Sequence, residues 1–310
     1  MHDALGRAEA ILRPALGSRI HTSFPMAPLT TFRIGGPAAI FVEPDSDDDL
    51  LAVSAAVGET DVPIVVIGKG SNVLVSDRGF PGIVLRLGRA YRWAARVGDA
   101  LSAGGAMPLP ALAGVARRHG LTGLEFGVAI PATLGGAVKM NAGAHARSMS
   151  EALTGVEVFL VHEGVTRTIA AADAGFAYRR SALPVDGVVI GASVGLAPGS
   201  DHEIRERMDE ARDWRRRTQP LAEPNCGSVF KNPPDGHAAR LIEEAGLKGL
   251  RVGGVQVSTK HANFIVADPG ADAEEVRTLI ARIRAEVQDR FGIELEPEVQ
   301  MIGGFADVAP

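Results

Sequence analysis

The segment NCGSVFKNP, residues 225–233, holds the only cysteine of the chain and, two residues later, a serine. A thiol does chemistry as a thiolate, which needs a base or a nearby cation; Cys226 has no identifiable base partner in the sequence and reads as a buried, inert thiol. Ser228 lies in no G-x-S-x-G elbow, so a hydrolase nucleophile is disfavoured. A proton donor or a plain turn serine after Gly227 remain as readings. In AYRRS (177–181), Arg179 is either a two-pronged grip for a carboxylate or a surface cation beside Arg180. In IELEPEVQM (293–301), Ile293, Leu295, Val299 and Met301 share one face and Glu294, Glu296 and Glu298 the other. Each glutamate is a candidate acid or part of a solvated face, and Pro297 suggests an edge.

Two glycine-rich stretches add a binding function. VVIGKGSNVLVSD (65–77) runs a strand of buried type into Gly68, Lys69, Gly70, Ser71 and Asn72. Two glycines permit positive φ, so successive N–H groups can form an anion nest, with Ser71 and Asn72 adding side-chain donors. A dinucleotide fingerprint of the usual kind needs a third glycine opening a helix; VLVSD reads as a strand instead. The bland alternative is a β-turn. In AIPATLGGAVKMNAGAH (129–145), Gly135, Gly136 and Gly143 lie among alanines, with Thr133 and Asn141 as polar handles. Such a segment suits close approach to a flat ligand or the close packing of two backbone layers. Together the two stretches favour a nucleotide-type cofactor.

These positions must be held by a mixed fold. Strands are predicted over 38–44, 63–68, 82–88, 187–196, 254–258 and 263–268, with a hairpin over 156–169. Helices are predicted over 47–57, capped by Ser46 or Asp45, and over 108–120, 201–217 and 236–246. Asp272 and Glu275 make a capping box for a helix with the apolar stripe Val276, Leu279, Ile280, Ile283, Val287 and Phe291, ended by Gly292. Residues 293–301 alternate as a strand would. Helices and strands intermix throughout, which is an α+β or α/β pattern.

Bulk properties exclude several classes. At 310 residues the chain is long enough for two or three subdomains. A net charge of −5 and 5% aromatic residues argue against a nucleic-acid platform or an anionic membrane surface. One cysteine and scattered histidines argue against a disulfide framework and a metal site. The N-terminal MHDALGRAEA lacks the apolar centre of a secretory signal, and no apolar run is long enough to span a membrane, so a soluble cytoplasmic protein is expected.

GKGSNVLVSD, AIPATLGGAVKMNAGAH, AYRRS, NCGSVFKNP and LEPEVQMIG (295–303) occur in this order, with SFPMAPLTTFRIGGPA (23–38) before them and STKHANFIV (258–266) late in the chain. The chain thereby resembles the UDP-N-acetylenolpyruvoylglucosamine reductase (MurB) family over about residues 21–303. The resemblance implies an α+β flavoprotein with the FAD-binding fold of the vanillyl-alcohol-oxidase (PCMH) type. It implies FAD-binding subdomains at 1–88 and 89–200 and a substrate domain at 201–310. It implies NADPH-dependent reduction of UDP-N-acetylglucosamine enolpyruvate to UDP-N-acetylmuramate, a cytoplasmic step of peptidoglycan synthesis. A hydride would pass from flavin N5 to the enolpyruvyl carbon, followed by protonation by Ser228.

The family's Tyr-Arg-x-Ser motif matches at Tyr178, Arg179 and Ser181, making Arg179 the grip for the substrate carboxylate, where enolate charge develops, and Tyr178 a substrate contact. The resemblance singles out Glu298 as the group that protonates or hydrogen-bonds the enol. Lys231 and Asn232 would steady the Ser228 alkoxide and bind substrate. Gly68 to Asn72, Thr133, Gly135, Gly136, Asn141 and Gly143 would hold FAD without a covalent link, since GKGSN has neither His nor Cys. Ala129 and Ala132 stand where the family more often has glycine. The 48 residues between Arg179 and Ser228 are too few for the family subtype with an inserted tyrosine loop. Two other readings stay open: another FAD-dependent oxidase or dehydrogenase of this fold, which would not need Ser228 and Glu298, or a non-catalytic nucleotide-binding protein.

Overall fold

The computed structural model describes residues 2–234 and 236–305. These form two compact units with interleaved segments. Unit 1 comprises the described residues of Met1–Thr22, Ile40–Lys69 and Gly82–Arg215; unit 2 comprises those of Ser23–Ala39, Gly70–Pro81 and Arg216–Pro310. The expected division was three consecutive spans. The apolar cores among the described residues cross those spans: Phe159, Val161, Val188 and Ile190 join the core of the first span, Ile204, Met208 and Ala211 that of the second, and Phe32, Ile34 and Leu74 that of the C-terminal segment. Contacts distant in sequence draw them there.

Two sheets lie mostly or wholly in unit 1. The first has the order Ile20–Pro25, Pro37–Val42, Phe80–Leu85, Ile64–Val66, and its last pair is parallel. Helix α1 (His2–Leu16) lays Ala8, Leu12 and Leu16 into the same core as Leu50, Val53 and Val57 of helix α2 (Asp47–Thr60). The 3.6-residue stripe of α1 is short, and no helix is predicted there from the sequence. Helix α2 starts where Ser46 accepts from the Asp49 amide, as predicted.

The second sheet is antiparallel, in the order Val165–Ala170, Leu153–Leu160, Gly187–Gly195, Ala100–Gly104, Ala94–Val97. Its hairpin and the strand at 187–195 match the predicted positions. Its core includes Leu109, Leu112, Ala113 and Ala116 of helix α3 (Leu109–Arg118) and Leu134, Ala137 and Val138 of helix α4 (Leu134–Lys139). The glycine segment around 135 is therefore a helix start. Thr133 caps it by accepting from the Gly136 amide at 3.3 Å. Ile204, Met208 and Ala211 of helix α5 (Asp201–Thr218) join this core.

Unit 2 packs helix α6 (Ala238–Glu244) and helix α7 (Ala273–Phe291) with an antiparallel sheet of Arg251–Val252, Val255–Val257 and Ile265–Ala267. The capping box at Asp272 and Glu275 is present, and Gly292 closes α7 at φ 68°. The predicted strand at 293–301 needs correction. Only Gln300–Ile302 is a strand, paired in parallel with Val73–Val75. Pro297 has no N–H for a ladder. The residues around it bond instead to the 229–231 segment: Glu298 N–H donates to Val229 O at 2.7 Å, and Lys231 N–H to Glu296 O at 2.9 Å.

Candidate active site

The loop after Ile64–Val66 carries Gly68 to Asn72. Among the described residues, none of the five backbone N–H groups from Gly68 to Asn72 has an acceptor. Unsatisfied consecutive amides are what an anion nest requires and what a closed β-turn would lack. Gly70 cannot be replaced by a larger residue: its φ is 62°, and a Cβ would lie 2.1 Å from Leu29 O. Ser71 is half-buried and Lys69 exposed. Asn72 turns its side chain elsewhere, donating from Nδ2 to Glu298 O at 3.0 Å, while its own carbonyl accepts from Gln300 N–H at 3.0 Å.

The second glycine segment is more heavily used inside the protein than its composition suggests. Leu134 N–H donates to Met107 O, Gly135 N–H to Gly105 O, and Gly136 N–H to Thr133 Oγ1. A Cβ on Gly135 would lie 2.9 Å from Val189 O, so this glycine serves the close packing of helix on strand. A Cβ on Gly136 would meet only Thr133 Oγ1, at 3.4 Å. A Cβ on Gly68 would lie 2.4 Å from Thr133 Oγ1, so within unit 1 Gly68 lies against the residue that caps the second glycine segment. Ala129 belongs to the apolar core and Ala132 packs against it, so those methyl groups fill core space.

Arg179 sits in unit 1 on a tight turn. Ala177 and Arg180 exchange both backbone hydrogen bonds, at 3.0 and 3.1 Å, leaving Tyr178 and Arg179 as the turn residues. Arg179 has φ 56°, uncommon for a side chain of its size. Its guanidinium lies 5.1 Å from the exposed Tyr178 ring centroid and donates from Nη2 to Gly143 O at 2.9 Å. A Cβ on Gly143 would lie 2.9 Å from Arg179 Nη1 and 2.5 Å from Arg147 O. The absent side chain of Gly143 thus makes room for the arginine. Asn141 is 4% exposed; its Nδ2 donates to Ala177 O and its Oδ1 accepts from Ser150 N–H, both at 2.9 Å.

Ser228 and Glu298 belong to unit 2. Gly227 has φ 77°, and its N–H donates to Asn225 Oδ1 at 2.9 Å. Residues after the serine are clamped by Asn263, which is 4% exposed. Its carbonyl accepts from Val229 N–H, its Oδ1 from Phe230 N–H, and its Nδ2 donates to Phe230 O at 2.8 Å. The Ser228 hydroxyl is half-buried and has no hydrogen-bond partner among the described residues. The Glu298 N–H bond to Val229 O brings that glutamate's backbone to the residue next to Ser228. Glu298 is half-buried, whereas Glu294 and Glu296 are exposed.

Lys231 pairs with Glu296, and Asn232 Oδ1 accepts from Ala238 N–H at 3.0 Å as α6 begins. Cys226 is 1% exposed, and burial pushes its thiol pKa up, so it stays protonated and inert. Asn263 is not legible in the sequence because its side chain bonds Phe230, 33 residues away. The motif STKHANFIV was the available signal. Among the described residues no group of three or more His, Cys, Asp or Glu could hold a metal ion.

Comparison with known proteins decides the family. Residues 219–302 match the model of the UDP-N-acetylenolpyruvoylglucosamine reductase C-terminal domain, and residues 38–170 match an FAD-binding domain model. The UDP-N-acetylenolpyruvoylglucosamine reductase of Halalkalibacterium halodurans is 40% identical over 94% of this chain and 97% of its own length. This chain belongs to the UDP-N-acetylenolpyruvoylglucosamine reductase family. The Heliobacterium modesticaldum member is 45% identical over 90% of this chain and 89% of its own. The crystal structure of the MurB from Thermus caldophilus superposes with a TM-score of 0.80 at 38% identity, covering 92% of this chain and 99% of the other. The solved Phl p 4.0202, a glucose dehydrogenase, shares the fold at a TM-score of 0.50 and 14% identity, over 64% of this chain and 44% of its own.

Proposed function

We propose that this MurB-family protein reduces UDP-N-acetylglucosamine enolpyruvate to UDP-N-acetylmuramate, with NADPH as reductant and with Arg179, Ser228 and Glu298 as its catalytic residues. It is a flavin-dependent oxidoreductase of the FAD-binding α+β fold, as its family membership and its FAD-binding segment require. The open amides of Gly68 to Asn72 suit the FAD pyrophosphate; Thr133, whose hydroxyl lies against Gly68, and Gly136 are proposed as further FAD contacts. Bound and reduced, FAD supplies the hydride.

The chain's own residues do the rest. Arg179 grips the enolpyruvyl carboxylate and stabilises the charge that develops on it; a guanidinium stays charged at any working pH. Ser228 gives its proton to the carbon next to that carboxylate. Glu298 hydrogen-bonds the developing enol. Lys231 can steady the serine oxygen only by leaving Glu296, an exchange favoured by the exposure of that glutamate. Asn72 and Asn141 act as supports of Glu298 and of the Arg179 turn in addition to their expected part in the FAD site. The observation that carries the assignment of Ser228 is its hydroxyl, without a hydrogen-bond partner among the described residues, in a loop whose neighbouring backbone is clamped by Asn225, Asn263 and Glu298.

The expected spans 1–88 and 89–200 remain the proposed FAD-binding subdomains, with residues 201–310 as the substrate domain assisted by 23–39 and 70–81. Among the described residues no helix is long and apolar enough to cross a membrane; a cytoplasmic location, small-molecule partners and no nucleic-acid partner complete the proposal. The test is a pair of half-reactions. NADPH should bleach the flavin of the holoprotein, and UDP-N-acetylglucosamine enolpyruvate should restore its colour with formation of UDP-N-acetylmuramate. Bleaching without reoxidation by that ligand would overturn the substrate assignment.

A further inference from the structure

The turn that presents Arg179 is held to one short stretch, residues 139–143, by bonds from four side chains. Asn141 Nδ2 donates to Ala177 O at 2.9 Å. Ser181 Oγ donates to Lys139 O at 2.8 Å. Lys139 Nζ reaches Leu183 O at 3.2 Å and also bonds Pro184 O. Arg179 itself donates to Gly143 O. A residue such as Arg179 keeps a positive φ only where its surroundings over-determine it, and these bonds are that surrounding.

Asn141 occupies the centre of the mount. It too has a positive φ, 42°, and it is nearly out of contact with solvent. An asparagine that merely eases a turn bonds locally, to backbone two or three residues on. Here the amide reaches Ser150, 9 residues ahead, with its oxygen and Ala177, 36 residues ahead, with its nitrogen. It therefore fixes the residue two before Arg179 against the stretch that supplies the arginine's own acceptor, Gly143 O. Bidentate recognition of a carboxylate is sensitive to the plane of the guanidinium, so such a mount controls the one contact that depends on that plane.

We propose that Asn141 is a positioning residue for carboxylate recognition, acting through Arg179. The inference rests on the reading of Arg179 as the grip for the substrate carboxylate. Two ligands separate the effects: UDP-N-acetylmuramate carries the carboxylate, and UDP-N-acetylglucosamine is the same nucleotide sugar without it. Their affinities for the FAD-loaded protein are measured by titration calorimetry for the wild type, Asn141→Ala, Arg179→Ala and the double variant.

The expected result is that Asn141→Ala weakens UDP-N-acetylmuramate binding roughly tenfold, leaves UDP-N-acetylglucosamine binding unchanged, and adds no loss in the Arg179→Ala background. Equal losses for both ligands, or a loss that adds fully to that of Arg179→Ala, would overturn the inference. If Arg179→Ala weakens UDP-N-acetylmuramate binding but Asn141→Ala does not, only the inference falls. If Arg179→Ala leaves that affinity unchanged, the reading of Arg179 falls and takes the inference with it. Should Asn141→Ala fail to fold, Asn141→Asp replaces it: it keeps the oxygen that accepts from Ser150 and loses the donor to Ala177 in its ionised form. It should weaken UDP-N-acetylmuramate binding selectively at pH 8, and unchanged affinity there would overturn the inference.

Discussion

The Asn72 side chain donates a hydrogen bond to the backbone carbonyl of Glu298, across 226 residues of chain. The same glutamate's N–H is held by Val229 O, one residue beyond Ser228. A residue of the glycine loop thus fixes the backbone of one proposed proton-handling group, and that group's backbone is tied to the loop of the other.

Replacing Asn72 by alanine removes that bond. The expected cost is about 1 kcal/mol of stability, typical of one neutral hydrogen bond. Reoxidation of the reduced flavin by the enolpyruvyl substrate should fall more than reduction by NADPH. Urea denaturation and stopped-flow absorbance measure the two effects, and equal slowing of both half-reactions would detach Asn72 from Glu298's role.

Ser228→Ala should leave reduction by NADPH intact. Reoxidation by the enolpyruvyl substrate should slow by on the order of 10²–10⁴-fold, the range of one positioned acid. Single-turnover absorbance at the flavin band reads both rates; unchanged reoxidation removes Ser228 from the mechanism.

Gly143→Ala places a methyl group where Arg179 Nη1 and Arg147 O now lie. The guanidinium must move, so kcat/KM for the enolpyruvyl substrate should drop roughly tenfold or more. FAD should stay bound through gel filtration. Loss of the flavin instead would make Gly143 a cofactor contact, the role its surroundings suggest from sequence.

Acid should loosen the serine loop through His261. Burial lowers its pKa from the ordinary 6.5, and its Nδ1 accepts from Asn263 N–H at 3.3 Å. The folded protein binds that proton less readily than the unfolded chain. The associated stability is therefore present above pH 6.5 and is lost as pH falls through the lowered folded value. Denaturation midpoints measured from about pH 7.5 down to about pH 5 should fall more steeply for the wild type than for His261→Gln.

What could be read from the sequence was what is written locally. The caps at Ser46 and Asp272, the glycine stop at 292 and the paired strands at 153–170 depend on residues within a few positions of each other. The inertness of Cys226 was legible from its lack of a basic neighbour. Of the two glycines expected to permit positive φ in the first loop, Gly70 adopts it and Gly68 does not.

The less legible part is held by distant contacts. The close approach of Gly135 to the Val189 backbone depends on a residue 54 positions away in the sequence, so this packing was not legible locally. Asn141 read as a polar handle, yet its amide is spent on Ala177 and Ser150. The alternation expected over 293–301 holds in burial at Leu295 and Val299, which are inside, but not at Met301, which is exposed. Only the last residues of that stretch, from Gln300, form a strand, because Pro297 and the 229–231 segment divert the ladder before them.

The interleaving of unit 2 has a consequence for biosynthesis. Its segments Ser23–Ala39 and Gly70–Pro81 leave the ribosome long before Arg216–Pro310. At roughly 5–20 residues per second, Asn72 waits on the order of ten to forty-five seconds for Glu298 to be made. Until then Phe32, Ile34 and Leu74 lack the core partners they have in the finished chain. A nascent chain stalled before residue 216 carries those side chains uncovered, a natural handle for a holding chaperone.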